Sequence, residues 1–198
     1  MNKITSTGKP GSAKVNQQFF RIELDCNADT CCVGDCVMIV NESDRYVTAT
    51  PFVKLLGTIK KVPIVSAAVA YDDPRSGKVV ILIIHQALYF PEMQRCLLCP
   101  MQVRLNDVVV NERPKFLTLH PTELDHALVV NDSLICLSLN KVASYFDAKT
   151  PTRKEYEECD WIELTYPYPE WCPHNPKYAE EEANCTDDNG CIRSVRNN

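Results

Sequence analysis

Short apolar runs broken by polar residues follow one another along the first half of the chain, which is the pattern of β-strands. Phe20, Ile22 and Leu24 alternate with charged residues, as in a strand with one buried face. Further strand patterns are present at Cys36–Val40, Tyr46–Thr50, Leu55–Ile59 and Val108–Val110. The alternation therefore predicts a mainly β domain.

The clearest pair of predicted strands is a hairpin. Val62–Tyr71 and Lys78–Phe90 are both apolar, and residues 72–77 between them read Asp-Asp-Pro-Arg-Ser-Gly, a dense cluster of turn formers. Gln94–Arg104 is expected to hold a short helix, which Pro100 limits to a turn or two. Strands at short spacing with little helix predict a small all-β barrel or sandwich over residues 19–112.

The two ends of the chain differ from this central part. Residues 1–18 are polar and are predicted to be a disordered lead-in. Residues 113–198 are predicted to be an acidic, proline- and aromatic-rich extension of low regularity. Within it lie two weaker strand patterns and a capping-box pattern that predicts a short helix, at Ala127–Val130, Leu134–Leu139 and Thr152–Glu155.

Charge narrows the range of partners. The 198 residues carry 21 basic and 26 acidic side chains, a net charge of −5, which argues against a strongly basic nucleic-acid binder. Residues 147–198 alone hold 12 acids and 6 bases. Aromatic residues of the extension could bind a partner or stack on bases, but this acidic charge argues against nucleic acid as the partner. We expect them to dock the extension onto its own chain.

Localisation and cysteine chemistry are linked in this sequence. The longest aliphatic run, Val79–Ile84, has six residues, whereas a membrane-spanning helix needs about 20. Residues 1–18 lack an apolar stretch, so no signal peptide and no membrane association are expected, and the protein is predicted to be intracellular and cytoplasmic. The 11 cysteines are then expected to be reduced thiols.

Two cysteine pairs allow a metal-binding alternative. Cys32 and Cys36 are separated by three residues, and Cys96 and Cys99 by two. Four thiolates at such spacings could close a tetrahedral zinc site. Buried thiols are the simpler expectation, because free cysteine behaves as a small hydrophobic residue.

The strongest chemical pattern is the segment Ile22–Thr30. A strand delivers Asp25 into a predicted turn, and the residues that follow are Cys26, Asn27, Ala28, Asp29 and Thr30. An ordinary strand-ending aspartate that accepts hydrogen bonds from turn amides would give the same pattern. The segment also resembles the active-site loop of retropepsin-like aspartic proteases, whose pattern is apolar residues followed by Asp-Thr/Ser-Gly-Ala.

Two later stretches extend this resemblance. Leu88-Tyr89-Phe90-Pro91 and Leu97-Leu98-Cys99-Pro100-Met101-Gln102 resemble, in order and distance, a stretch that follows the protease loop in copia-type retrotransposon Pol polyproteins. Three further segments resemble the region between protease and integrase in diatom-type elements; they are Leu137-Ser138-Leu139-Asn140, Ser144-Tyr145-Phe146 and Pro169-Glu170-Trp171. The resemblance covers most of residues 19–180.

The resemblance implies a small closed retropepsin-like β-barrel with one short helix, over residues 19–112. Asp25 matches the catalytic aspartate, and Ala28 and Asp29 match positions where the acid helps to hold substrate backbone or ties the loop down. Leu97 and Leu98 match the apolar pair that supports the loop. Two such aspartates share a proton across a symmetric site. One loop per chain then implies a homodimer that cleaves its own polyprotein without a cofactor.

Two residues depart from the family pattern. Cys26 stands at the Thr/Ser position, whose hydroxyl normally links the two loops across the dimer axis, and a thiol is a weaker hydrogen-bonding group. Asn27 stands at the Gly position, where we expect it to tolerate a left-handed φ. The covering flap is expected at one of two turns, 41–44 or 72–77. An inert retroelement remnant with a structural or interaction role, and a zinc-stabilised β module, remain as alternatives.

Overall fold

The computed structural model describes residues 18–51, 55 and 57–193, so the predicted lead-in lies outside the described residues except for residue 18. The mainly β prediction is confirmed. The strands are β1 Phe19–Leu24, β2 Cys32–Val33, β3 Met38–Ala49, β4 Ile59–Asp72, β5 Val79–Tyr89, β6 Cys96–Leu98, β7 Val109–Asn111, β8 Ala127–Val130, β9 Ser133–Cys136, β10 Ser138–Asn140, β11 Ala143–Lys149 and β12 Trp161–Glu163. The helices are α1 Pro100–Arg104, α2 Arg153–Glu158 and α3 Lys177–Asn184.

Most strands belong to one mixed sheet with the order β10-β11-β1-β6-β2-β5-β4-β3, and β12 adds to β5. Strand β1 lies between β11, which is antiparallel to it, and β6, which is parallel. A pairing of Lys149 with Ala70 also joins β11 to β4. Strands β7, β8 and β9 form a separate three-stranded sheet.

The predicted hairpin is confirmed as β4 and β5, whose turn is closed by a 2.8 Å hydrogen bond from the Asp73 amide to the Lys78 carbonyl. The turn predicted at 41–44 is wrong, because these residues lie inside β3. The strands predicted on either side of it therefore merge, and β3 pairs with β4 through several bulges. Asn41 and Glu42 pair with β4, and the Ser43 hydroxyl donates to the Ile64 carbonyl of β4, so contacts with this long strand outweigh the local turn preference of Asn, Ser and Asp. The strand predicted at Leu55–Ile59 lies partly outside the described residues.

Both short helices that the sequence predicted are present. The capping box is confirmed, since Thr152 accepts from the Glu155 amide and Glu155 accepts from the Thr152 amide at the start of α2. The helix expected within Gln94–Arg104 is restricted to α1. Pro100 is the first residue of α1. The backbone N–H at that position of a helix has no partner within the helix, so proline, which lacks an N–H, is accommodated there without loss of a hydrogen bond.

Residues 113–198 are more regular than their composition indicates. Strands β8 to β12 lie in this region, and β10, β11 and β12 join the main sheet. The largest core cluster mixes side chains from both halves of the chain; it includes Ile22, Leu24, Val33, Leu98, Leu128, Ile135, Phe146, Ala148 and Leu164. One hydrophobic core therefore spans the predicted boundary at 112/113. In the part of the chain that the structure describes, no helix has the length and apolar character needed to cross a membrane.

Gly34 follows β2 and packs directly against backbone. A Cβ atom placed on it would lie 1.8 Å from the carbonyl oxygen of Met93. We expect Gly34→Ala to lower the free energy of unfolding by about 3 kcal/mol, because a backbone carbonyl cannot rotate away as a side chain can. Urea denaturation followed by circular dichroism measures the change.

Gly77→Ala is the matched control for this prediction. Gly77 has φ +69° and no atom within 4 Å of an added Cβ. Its replacement introduces only local backbone strain and should cost about 1 kcal/mol. A loss in Gly34→Ala no larger than that in Gly77→Ala would contradict the steric explanation.

Candidate active-site loop

The Asp25 loop is held at its start by two neighbouring strands. Leu24 is buried and pairs in parallel register with Leu98 of β6. The backbone amide of Asp25 then donates a 3.1 Å hydrogen bond to the Leu98 carbonyl. Leu97 and Leu98, predicted to support the loop, therefore lie directly beside it, and the chain leaves β1 at a fixed point.

A tight turn follows Asp25. The Ala28 amide donates to the Asp25 carbonyl at 3.2 Å, and the Asn27 amide donates to Oδ1 of the Asp25 side chain at 2.9 Å. Asp25 is partly exposed, and among the described residues none donates a hydrogen bond to its Oδ2. One carboxylate oxygen thus stabilises the turn, while the other receives no hydrogen bond from the described residues. Asn27 does not have the left-handed φ that the Gly position suggested.

Gln102 of α1 holds the end of the loop. Its buried side chain accepts from the Cys31 amide at 2.9 Å and donates to the His85 carbonyl of β5 at 3.2 Å. The loop is therefore connected to β6 at one end and to α1 and β5 at the other. Both anchors are buried, so the loop has a defined shape between them.

Cys26 is paired within its own chain. Its exposed thiol donates to Oε2 of Glu112 at 3.0 Å, and Glu112 also forms an ion pair with Arg104. The hydrogen bond to this carboxylate, together with partial burial, raises the pKa of the Cys26 thiol. The Cys26 thiol therefore stays protonated and donates its hydrogen bond to Glu112.

The far end of the loop contacts the extension. The indole Nε1 of Trp171 donates to the Asp29 carbonyl and to the Thr30 hydroxyl oxygen, both at 3.1 Å. The neighbouring Glu170 forms an ion pair with Arg45 of β3. The extension thus docks on its own chain, as its aromatic residues were expected to do.

The cysteines proposed as zinc ligands do not gather into a four-sulfur site. Cys36 and Cys96 have their sulfurs 3.9 Å apart, and no group of three or more His, Cys, Asp or Glu within 18–51, 55 and 57–193 is arranged to hold a metal ion. Burial, with the nearby charges of Asp29 and Asp25, raises the pKa of Cys32 to about 12. A metal ion would have to displace the proton of this thiol on binding.

The two turns considered for a flap have different surroundings. Residues 41–44 form part of β3, the strand that also carries Arg45 beside the extension. The 72–77 turn lies at a polar cleft lined by the β8–β9 hairpin and by Trp161. Of the two flap candidates, only the one in β3 is therefore linked to the Asp25 loop by the contacts of the extension described above.

Three residues that position this region were not singled out from the sequence. Gln102 belonged to the copia-like stretch without a role assigned to it. Glu112, and Gln86, whose side chain binds the backbone of Tyr166 and Trp171, were given no role from the sequence. Their partners lie far along the chain, as with Cys26 and Glu112, which are 86 positions apart. Comparison of the chain with protein-family models, with curated proteins and with solved structures finds no match in any of the three.

Proposed function

We propose that this chain is a retropepsin-like aspartic endopeptidase derived from a copia-type retrotransposon, active as a homodimer on its own polyprotein. The observation that carries the proposal is the Asp25 loop itself. A partly exposed carboxylate, with one oxygen that accepts no hydrogen bond from the described residues, lies on a turn anchored between a parallel strand pair and a buried glutamine. Two copies related by a two-fold axis would bring two such carboxylates together.

The chemistry follows from this pair of carboxylates. They share one proton and hold a water molecule between them. The ionised carboxylate takes a proton from the water as the water oxygen attacks the peptide carbonyl carbon. The protonated carboxyl group gives its proton to the carbonyl oxygen. The C–N bond of the resulting diol then breaks. The carboxyl group that took the water proton gives it to the leaving nitrogen, and the other carboxylate takes a proton from a diol hydroxyl as the product carboxyl group forms. No cofactor takes part.

The arrangement around the loop supports a covered cleft. Consecutive residues of the extension bind Arg45 on the β3–β4 hairpin and Thr30 in the loop. The hairpin and the loop are therefore close enough for two neighbouring residues to bridge them. We assign the part of β3 that holds residues 41–44 and Arg45, rather than the 72–77 turn, as the flap that covers a bound peptide. The pairing of Lys149 with Ala70 supports the closed barrel that the proposal requires, since it joins β11 to β4.

An inert interaction module is the second candidate, and Cys26 is the observation that favours it. In the proposed dimer the residue after the catalytic aspartate should link the two loops across the axis. The Cys26 thiol instead donates to Glu112 of its own chain. A dimer linked less firmly at this point would hold its two aspartates less precisely.

A cleavage assay on the full chain separates these candidates. A peptidase that needs two protomers should show a rate per chain that rises with protein concentration until the dimer saturates. Cleavage of a peptide library should be favoured by acid and blocked by a statine-containing inhibitor. A monomer at every concentration that cleaves no peptide would overturn the proposal and leave the inert module.

A further inference from the structure

The segment Thr165–Trp171 lies across the molecule between the loop and the hairpin. It leaves the sheet at Thr165, whose buried hydroxyl accepts from the His85 amide at 2.7 Å and donates to the His85 carbonyl at 2.8 Å. The preceding strand, β12, runs parallel to β5. The start of the segment is therefore fixed to the edge of β5.

The side chain of Gln86 binds the backbone of this segment. It lies at a bulge in β5 with φ 55°, where the register with β4 shifts. Its side-chain amide donates to the Tyr166 and Pro169 carbonyls at 3.0 and 2.9 Å, and its Oε1 accepts from the Trp171 amide at 2.7 Å. A nearly buried glutamine thus binds three main-chain groups of the segment.

The end of the segment binds hydrogen-bonding groups in the loop shortly after Asp25. Trp171 binds the Asp29 carbonyl and the Thr30 hydroxyl, four and five positions beyond Asp25 in the chain. The ion pair of Glu170 with Arg45 joins the segment to β3. A peptide that extends from Asp25 along the loop would have to displace the indole N–H to reach these two oxygens.

We propose that Thr165–Trp171 is a latch that closes one end of the substrate cleft and so limits the length of peptide that the site accepts. This inference rests on the proposed function. In a symmetric dimer each protomer closes one end, so the accepted peptide is short and centred on the two Asp25 side chains. A longer peptide binds only when the latch is displaced.

The double variant Glu170→Gln/Trp171→Phe tests the latch. It removes the ion pair and the indole N–H but keeps an aromatic ring, and both side chains are only partly buried or exposed, so the fold should persist. The probes are two statine-containing peptides of about four and about ten residues, since an extended chain advances about 3.3 Å per residue. We expect the variant to bind the long peptide about tenfold more tightly than the unaltered chain does, with little change for the short one.

Trp161→Phe is the matched control. Its indole Nε1 also donates to a backbone carbonyl, that of Tyr156 at 2.8 Å, but Trp161 lies away from the loop. This variant should leave the affinities for both peptides unchanged. Equal gains for the two peptides in the latch variant, or the same gain in Trp161→Phe, would overturn the length limit.

Binding and cleavage report on different claims. If the long statine peptide binds the latch variant more tightly but no chain cleaves any substrate, the latch stands and the peptidase fails. If the chains cleave and the preference for short peptides is unchanged in the variant, the peptidase stands and the latch fails. If the latch variant binds neither peptide, the latch is overturned.

Discussion

Replacing Asp25 by asparagine should lower peptide cleavage by about a thousandfold or more, because the amide can neither accept a proton from the water nor give one to the carbonyl oxygen. The fold should be unaffected. The contact that Asp25 makes within its turn is an accepted hydrogen bond from the Asn27 amide, and the amide oxygen of asparagine can accept the same bond. The measurement is kcat/KM for the best library peptide at acid pH, with circular dichroism to verify the fold.

Asp132→Asn is the control for this experiment. Asp132 is exposed in the turn between β8 and β9, in the three-stranded sheet. The same chemical change there should leave cleavage within experimental error. Cleavage that persists in Asp25→Asn would mean that another group, or a contaminating enzyme, is responsible, and the assignment of Asp25 would be wrong.

Phe146→Ala should lower the free energy of unfolding by about 3–5 kcal/mol, the usual cost of removing a fully buried phenylalanine. Phe146 lies on β11 in the extension, is 2% exposed and pairs with Ile22 of β1. Its ring meets that of Tyr71 edge to face, with centroids 5.9 Å apart. The substitution therefore opens a cavity between the extension and the strand that carries the Asp25 loop.

Phe116→Ala is the matched control, since Phe116 follows the same predicted boundary but is 76% exposed. It should change stability by less than about 0.5 kcal/mol. Chemical denaturation of both variants measures the difference. A small loss in Phe146→Ala would mean that residues 19–112 fold without the extension, contrary to the shared core.

The sequence predicted the elements that depend on neighbouring residues. Period-two alternation identified β1, a cluster of turn formers identified the β4–β5 hairpin, and a capping box identified α2. The turn predicted at 41–44 was wrong for the opposite reason. Pairing with a long neighbouring strand, which local residues do not encode, decided its conformation.

The extension illustrates the same limit. Its strands are short, and a short strand is stable only when a partner completes its hydrogen bonds. Nothing near residues 143–149 in the sequence indicates that their partner is β1, more than a hundred positions earlier. Local patterns therefore predicted β8, the β9–β10 region and α2 within the extension, but they could not predict β11 or the pairing that joins the extension to the main sheet.

The sequence by itself determined the mainly β architecture, the carboxylate at the end of β1 and the apolar Leu97–Leu98 pair beside it, because these depend on alternation and short motifs. The tertiary structure alone decided which groups meet at the loop: Cys26 with Glu112, Cys31 with Gln102, and Thr30 with Trp171. Each of these contacts joins residues at least 71 positions apart. Such contacts form only when the whole sheet assembles, since sheet pairing rather than local preference brings the partners together.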